Sequence, residues 1–182
     1  MNRLANSWTP MLLLAVLAVP VAEAGSREQL DAEVREAVNT LYEHSSAAKE
    51  LAARASGMLV FPNVYKGGMG IGGEYGEGAL LIGGSTVAYY NTVSASIGFQ
   101  LGAQKKSQVI LFMNPSELQK FRDSDGWKVG VDGSVAIATL GAGGQIDTET
   151  SKKPIIGFIY SNKGLMYNLT FEGSKITGIT KK

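Results

Sequence analysis

Beyond residue 25 the chain first shows apolar residues at helical spacing. Five of them form one stripe: Leu30, Val34, Ala37, Val38 and Leu41. This spacing predicts a helix over 27–43, and the capping box Ser26-x-x-Gln29 stands directly in front of it. A shorter apolar stripe predicts a second helix from about Ser46 to Ala55, which ends before Gly57.

The period then changes to two, which is typical of strands. Met58–Phe61 predicts a short strand that Pro62 ends, and Thr86–Val93 predicts another. Ser94–Gly102 alternates, with its apolar residues on one face. Gln108–Met113 is nearly all apolar, so we expect a strand that is covered on both faces.

Asn114-Pro115-Ser116-Glu117 predicts the start of a third helix, because it supplies an N-cap, a proline at the first helical position and a glutamate. A hairpin turn is expected at Ser161–Gly164, and the polar segment Asp147–Lys153 is expected to be a mobile loop. Further strands are predicted at about Lys128–Val131, Ser134–Leu140, Ile155–Ser161 and Leu165–Phe171.

Glycine is concentrated in one block, where it makes up nine of the eighteen residues from Gly67 to Gly84. The apolar residues interleaved with it argue against a flexible linker and favour tightly curved strands and turns. Together with the short helices, this predicts an α+β fold that is mainly β. We expect a compact antiparallel β-barrel-like core with about three short helices packed on its surface.

The first 24 residues have the form of a cleaved bacterial signal peptide. Met11–Ala22 is an apolar core that is too short to span a bilayer, and Ala22-Glu23-Ala24 matches a signal peptidase site. The alternative is a retained anchor. We expect a single domain over 25–182 in a periplasmic or secreted protein, with a peripheral position at the outer membrane as one option. The sequence contains no cysteine, which excludes disulfides and a thioether-linked lipid anchor.

Composition excludes several classes of function. A formal net charge of +1 argues against a general nucleic-acid binder. His44 is the only histidine, so a zinc site is not expected, and a surface or capping role is favoured over catalysis. We therefore expect a non-enzymatic protein without a metal or cofactor.

Three other motifs have plain structural interpretations. Gly68-x-Gly70-x-x-Gly73 matches the dinucleotide-binding pattern, but no helix start follows it. Glu74 and Glu77 form either a carboxylate pair or an exposed strand end. Asp123-x-Asp125-Gly126 lacks most ligands of a calcium loop and predicts a solvated turn.

Small basic clusters stand at predicted loops or at the terminus: Lys105-Lys106, Lys152-Lys153 and Lys181-Lys182. Lysine pairs beside apolar groups can hold an anionic lipid headgroup, at about 1 kcal/mol per charge near an anionic surface. The alternative, which these pairs alone favour, is charge that keeps loops soluble.

The order of these motifs resembles the SYLF domain family. The segments that carry the resemblance are Phe61–Gly73, Gly76–Leu81, Ser96–Gln104, Tyr160–Leu165 and Leu169–Gly173. The resemblance implies a β-barrel-like core with helices on its surface and binding of anionic membrane phospholipids, particularly phosphoinositides. Some eukaryotic relatives also bind actin, a role without an evident counterpart in an exported bacterial protein.

Two departures from the family pattern stand out. Eukaryotic members begin with a basic amphipathic segment, whereas the helix predicted over 27–43 is acidic on its outer face. A glycine-proline turn expected after Ser134–Leu140 is replaced by Gly141-Ala142-Gly143-Gly144.

The sequence thus predicts a monomeric protein that binds anionic phospholipid or a membrane surface. Lys66 and the loop containing Gly67, Gly68 and Gly70 would offer an ammonium group and backbone amides to a phosphate, as a nest does. Peripheral charge would come from Lys105, Lys106, Lys152 and Lys153. The main alternative is a structural or assembly protein of the bacterial envelope that acts through β-edge contacts. An enzyme using His44 ranks third.

Overall fold

A computed structural model describes residues 26–98, 104–139, 145–166 and 169–182. The predicted signal peptide and the Gly141–Gly144 departure lie outside these described residues. Within them the chain forms four helices and a curled, half-barrel sheet of eight strands. The expected α+β, mainly β class is therefore confirmed.

The three predicted helices are present close to their expected bounds: α1 (Arg27–His44), α2 (Ser46–Arg54) and α3 (Pro115–Arg122). Each helix is preceded by a capping residue, Ser26, Ser45 and Asn114 respectively. The side chain of this residue accepts a hydrogen bond from the backbone N–H three residues later. A fourth, one-turn helix, α4 (Thr148–Ser151), lies where a mobile loop was expected. The Asp147 carboxylate caps it by accepting hydrogen bonds from the Thr150 hydroxyl and from the backbone N–H groups of Glu149 and Thr150. These hydrogen bonds, above all the one from the Thr150 hydroxyl, lower the pKa of Asp147.

The sheet has the order β4-β8-β2-β1-β3-β6-β5, and β7 pairs with β6 off this path. All pairings are antiparallel except that of β5 with β6. The strands are β1 (Gly57–Ile82), β2 (Ser85–Gly98), β3 (Gln104–Phe112), β4 (Trp127–Lys128), β5 (Ala136–Ile137), β6 (Ile155–Ser161), β7 (Gly164–Leu165) and β8 (Lys175–Ile179).

β1 differs most from the prediction, because it continues for 26 residues, through Pro62 and through all of the glycine block except Gly83 and Gly84. Pro62 is tolerated because it lies in a register irregularity between Phe61 and Val64, where neither Pro62 nor Asn63 pairs with a residue of β3. The first half of β1 pairs with β3 and the second half, from Gly70, pairs with β2. One strand therefore belongs to both parts of the sheet, the part on the β3 side and the part on the β2 side, which we call its two wings.

The two halves of β1 pack against each other where glycine replaces a side chain. A Cβ built on Gly78 would lie 2.1 Å from the Val60 carbonyl oxygen, and one on Gly76 would lie 2.8 Å from that of Asn63. Backbone cannot move aside as a flexible side chain can. These two glycines therefore permit the curl of the sheet.

Gly83 and Gly84 make the turn between β1 and β2. Ile82 pairs with Ser85, so the loop has two residues, and both glycines have positive φ (59° and 81°). This is the pattern of a type I′ turn, whose twist matches that of the flanking strands.

The sheet separates two apolar clusters. We call the face that α1 and α2 cover the outer face; it carries Val60, Ala79 and Val109. The inner face is enclosed by the curl and carries Leu59, Leu80 and Ile110. The predicted strand Gln108–Met113 is indeed covered on both faces, since Gln108 to Phe112 are all buried.

The predicted bounds of several short strands were less accurate. The strand predicted at Lys128–Val131 has two residues, and so does the one within Ser134–Leu140. The hairpin at Ser161–Gly164 is confirmed by the β6–β7 pairing. β8 was not predicted, because its apolar residues are interrupted by lysine, threonine and glycine. Among the described residues, no helix is both long and apolar enough to cross a bilayer.

Candidate functional site

The end of the β1–β3 ladder brings together an exposed tyrosine and lysine side chains. Tyr65 pairs with Lys105 in register, so both side chains lie on the outer face, and Tyr65 is 52% exposed. Lys66 is the next residue on β1, pairs with Gln104 and points to the other face. Among the described residues, neither Lys66 nor Lys105 has an acidic partner within ion-pair distance.

Lys106 is placed differently from its neighbour Lys105. It faces the inner side of the sheet beside Val64, and its ammonium group lies 2.8 Å from the Glu74 carboxylate. The two side chains are only 9% and 13% exposed, and the Ser94 hydroxyl donates to the same carboxylate at 3.4 Å. Lys106 is thus a buried structural cation and not the peripheral charge that the sequence suggested.

Gly67, Gly68 and Gly70 do not form a loop. They lie within β1, and from Gly70 onward the backbone pairs with β2. A phosphate-binding nest needs successive amides on one side of a tight turn, which an extended strand does not provide. The structure therefore does not provide the loop that the predicted nest requires, and the strand interpretation of this glycine pattern, preferred to a dinucleotide site, agrees with β1, which continues after it.

Lys152 and Lys153 lie far from Lys105. They precede β6 at Ile155, whereas Lys105 lies beyond the pair Ser107–Tyr160 at the other end of that strand. At strand spacing the two ends are at least about 17 Å apart. Lys152 also forms an exposed ion pair with Glu149. The structure does not bring these two lysines to the same place as Lys66 and Lys105.

An open pocket of about 370 Å³, with polar and apolar lining in nearly equal parts, adjoins Lys105. It lies between α1, the irregularity of β1 at Pro62, the start of β3 and the end of β6, and its charged lining residues are Glu33, Glu36, Lys105 and Lys106. Glu33 accepts hydrogen bonds from Gln29 (3.1 Å) and Asn63 (2.8 Å). Because the Lys106 ammonium group is paired with Glu74 on the inner face, the two carboxylates face only the Lys105 ammonium group, and the pocket does not favour an anion.

The residues considered for catalysis are not arranged for it. His44 ends α1, and its Nε2 is buried without a hydrogen-bond partner among the described residues. Its ring lies edge-on to that of Tyr160, at 6.4 Å. The Tyr160 hydroxyl donates to the Ala37 carbonyl at 2.6 Å, and burial raises its pKa. Tyr160 therefore stays protonated and ties β6 to α1.

The carboxylates of Glu74 and Glu77 do not form a pair. Three residues apart on a strand, they point to opposite faces, and Glu77 forms an ion pair with Lys181. Asp123–Gly126 forms the expected turn between α3 and β4. No cluster of three or more potential metal ligands occurs among the described residues.

Sequence reasoning missed Tyr65 as a possible contact residue. Its only signal is local: a large aromatic residue directly before Lys66. Its relation to Lys105 depends on the register between β1 and β3, which includes an irregularity that the sequence does not reveal.

Comparison with known proteins identifies the domain. The family model described as Ysc84, "Las17-binding protein actin regulator", matches residues 93–181. These residues belong to the SYLF, or Ysc84, domain family. The match runs from the middle of β2 to just beyond β8, so it includes β3 to β8 but not β1. A search of curated proteins found no significant match.

The family sets the broad class of function. It is linked to lipid and actin binding, and it is a family of binding domains that is not known for enzymatic activity. The SYLF resemblance seen in the sequence is thereby confirmed for this part of the chain.

Proposed function

We propose that this protein binds anionic phospholipid at a membrane surface. The observation that carries the proposal is the pairing of exposed Tyr65 with Lys105, next to Lys66, in a domain of this family. Neither lysine forms an ion pair with a described acidic group. Tyrosine favours the level of the headgroups, where its ring is apolar and its hydroxyl remains hydrated.

The contact would be made by this exposed end of the sheet rather than inside the adjacent pocket. The pocket is lined by the Glu33 and Glu36 carboxylates, which would repel an anionic headgroup. Binding would then be electrostatic and peripheral. Phosphoinositides, which the family resemblance suggests, would be one class of anionic headgroup among several.

Vesicle flotation tests the proposal. The processed chain is mixed with phosphatidylcholine vesicles, with or without phosphatidylglycerol, at low and high salt. We expect recovery with the anionic vesicles at low salt and a marked loss at high salt, because screening weakens attraction between exposed charges. Equal, negligible recovery with both vesicle types would refute the function.

A variant locates the contact. Lys66→Gln combined with Lys105→Gln removes two cations and should weaken binding to anionic vesicles several-fold. Lys49→Gln combined with Arg54→Gln removes the same charge from the exposed side of α2 and should change binding less. If the two double variants bind alike, net charge rather than this site governs the attraction.

The proposal includes export to the periplasm or beyond. Its support is the apolar segment Met11–Ala22 followed by Ala22-Glu23-Ala24. Mass spectrometry of the protein recovered from cells should find Gly25 as the first residue. Recovery of the unprocessed chain in the cytoplasmic fraction would contradict export.

An assembly role through strand addition is the second candidate, and the two terminal strands of the sheet offer little for it. Its two terminal strands, β4 and β5, have two residues each. Strand addition depends on a row of unpaired backbone groups, which such short edges do not provide. Light scattering without lipid would reveal concentration-dependent association if this role were correct.

A further inference from the structure

A row of four exposed side chains crosses four strands of the sheet. Tyr75 on β1 pairs with Val93 on β2, Val93 pairs with Lys175 on β8, and Lys175 pairs with Lys128 on β4. Residues directly opposite each other in antiparallel strands share a face. These four side chains, which we call the transverse row, therefore stand side by side over about 14 Å.

The transverse row is unusually exposed for its composition. Tyr75 and Val93 are 47% and 48% exposed, and both lysines are exposed as well. Among the described residues, neither Lys128 nor Lys175 has an ion-pair partner. The nearby Asp132 carboxylate accepts the backbone N–H of Lys128 (2.6 Å) rather than pairing with its ammonium group.

The row lies on the outer face, beyond the part that helices cover. Four residues along β1, Ala79 is buried in the cluster beneath α1 together with its partner Tyr89. On the opposite side of the row, the next pair on this face is Gly73 with Ala95, which are small and exposed. The pair directly beside the row on that side is therefore not bulky, which favours the approach of a flat surface.

We propose that the transverse row is a second membrane contact, which lays this face of the sheet on an anionic bilayer. This inference rests on the proposed lipid-binding function and adds an orientation to it. The apolar half of the row, Tyr75 and Val93, would enter the headgroup region. The cationic half, Lys175 and Lys128, would lie against lipid phosphates.

Charge and shape favour a bilayer over a protein as the occupant. The two ammonium groups, which have no ion-pair partner among the described residues, complement an anionic surface, and a linear row of exposed side chains suits a flat bilayer better than a hot-spot side chain of a protein partner. The Tyr75 hydroxyl donates to Glu77 at 3.0 Å. Burial, followed by that contact, raises the pKa of Tyr75, so it remains a neutral interfacial residue.

The first test measures binding of variants to phosphatidylcholine vesicles that contain phosphatidylglycerol. Lys128→Gln combined with Lys175→Gln should weaken binding up to about 30-fold, since each lysine near an anionic surface contributes about fivefold. The matched control is again Lys49→Gln with Arg54→Gln. α2 packs at the Gly83–Gly84 turn, about 26 Å along β1 from Tyr75.

A second test reports on the environment of the row itself. In a Tyr75→Trp variant the new indole should shift its emission to the blue on addition of anionic vesicles. Lipids with brominated acyl chains should quench it. Trp127 is buried on the inner face and should contribute a constant background.

The outcomes separate the two proposals. No binding by the unaltered chain overturns lipid binding altogether. Normal binding by that chain, with a row variant equal to the α2 control and an unchanged indole signal, overturns only the transverse row. A row variant that loses binding to a soluble acidic protein while its vesicle binding is unchanged would assign the row to a protein partner and also overturn the membrane assignment.

Discussion

Gly78 is the residue on which the curl of the sheet depends most directly. The second half of β1 approaches the first so closely at this point that a Cβ would overlap the Val60 carbonyl group, at 2.1 Å. Because the obstacle is backbone, relief requires the two halves of the strand to separate. The same separation would open the inner cluster, where Phe61 and Leu80 pack.

Gly78→Ala should therefore lower the free energy of unfolding by about 3 kcal/mol or prevent folding, as expected of severe overpacking. Gly67→Ala is the matched control, since a Cβ there meets nothing within 4 Å. Chemical denaturation of both variants measures the difference. Equal stability of the two would show that the close approach is not required.

The Lys106–Glu74 ion pair also belongs to the residue scale. Replacing one member of a buried pair leaves an uncompensated charge, so Lys106→Met should lower the free energy of unfolding by about 3 kcal/mol. Adding Glu74→Met should restore most of it. Lys105→Met, one residue away and exposed, serves as the control.

A double variant as unstable as Lys106→Met would show that the pair is not what stabilises this part of the sheet. Lys106 is buried and Lys105 is exposed, and the sequence alone could not show which of the two is which. Adjacent residues on a strand point to opposite faces, but which one faces inward depends on the register with β1.

At the scale of elements, the β1–β2 turn makes a prediction that separates its two glycines. Asparagine tolerates positive φ and is common at the first position of a type I′ turn, so Gly83→Asn should leave stability nearly unchanged. Gly84→Ala should cost about 1 kcal/mol, because alanine resists the left-handed region.

Thermal unfolding of the two single variants checks this prediction. Neither glycine has a neighbour that a Cβ would meet within 4 Å, so steric overlap cannot explain a difference between them. A cost at Gly83→Asn equal to that at Gly84→Ala would contradict the assigned turn type.

The helices were predictable because their signals are local. Ser26, Ser45 and Asn114 cap helices within three residues of themselves, and each apolar stripe lies on one helix. The length of β1 was not predictable. Pro62 normally ends a strand, and only the irregularity between Phe61 and Val64 lets the strand continue past it.

At the scale of the molecule, the class of fold followed from glycine placement and from the short apolar alternations. The candidate site was less predictable from the sequence than the fold. The exposed pairs Tyr65–Lys105 and Val93–Lys175 join residues that are 40 and 82 positions apart, and each depends on strand register. Basic dipeptides in the sequence therefore located charge but could not show which lysines share a surface.

The shared membership of β1 in both wings of the sheet has a consequence for how the protein opens. Its first half is bound to β3 and its second half to β2, so neither wing can detach without releasing part of the same backbone. Amide protons of Leu59 and Val60 should then exchange with deuterium at the same slow rate as those of Ala79 and Leu80, through global unfolding alone. Native-state exchange read by mass spectrometry would detect two rates if the wings unfolded as separate cooperative units. A single rate would show that β1 joins both wings into one cooperative unfolding unit.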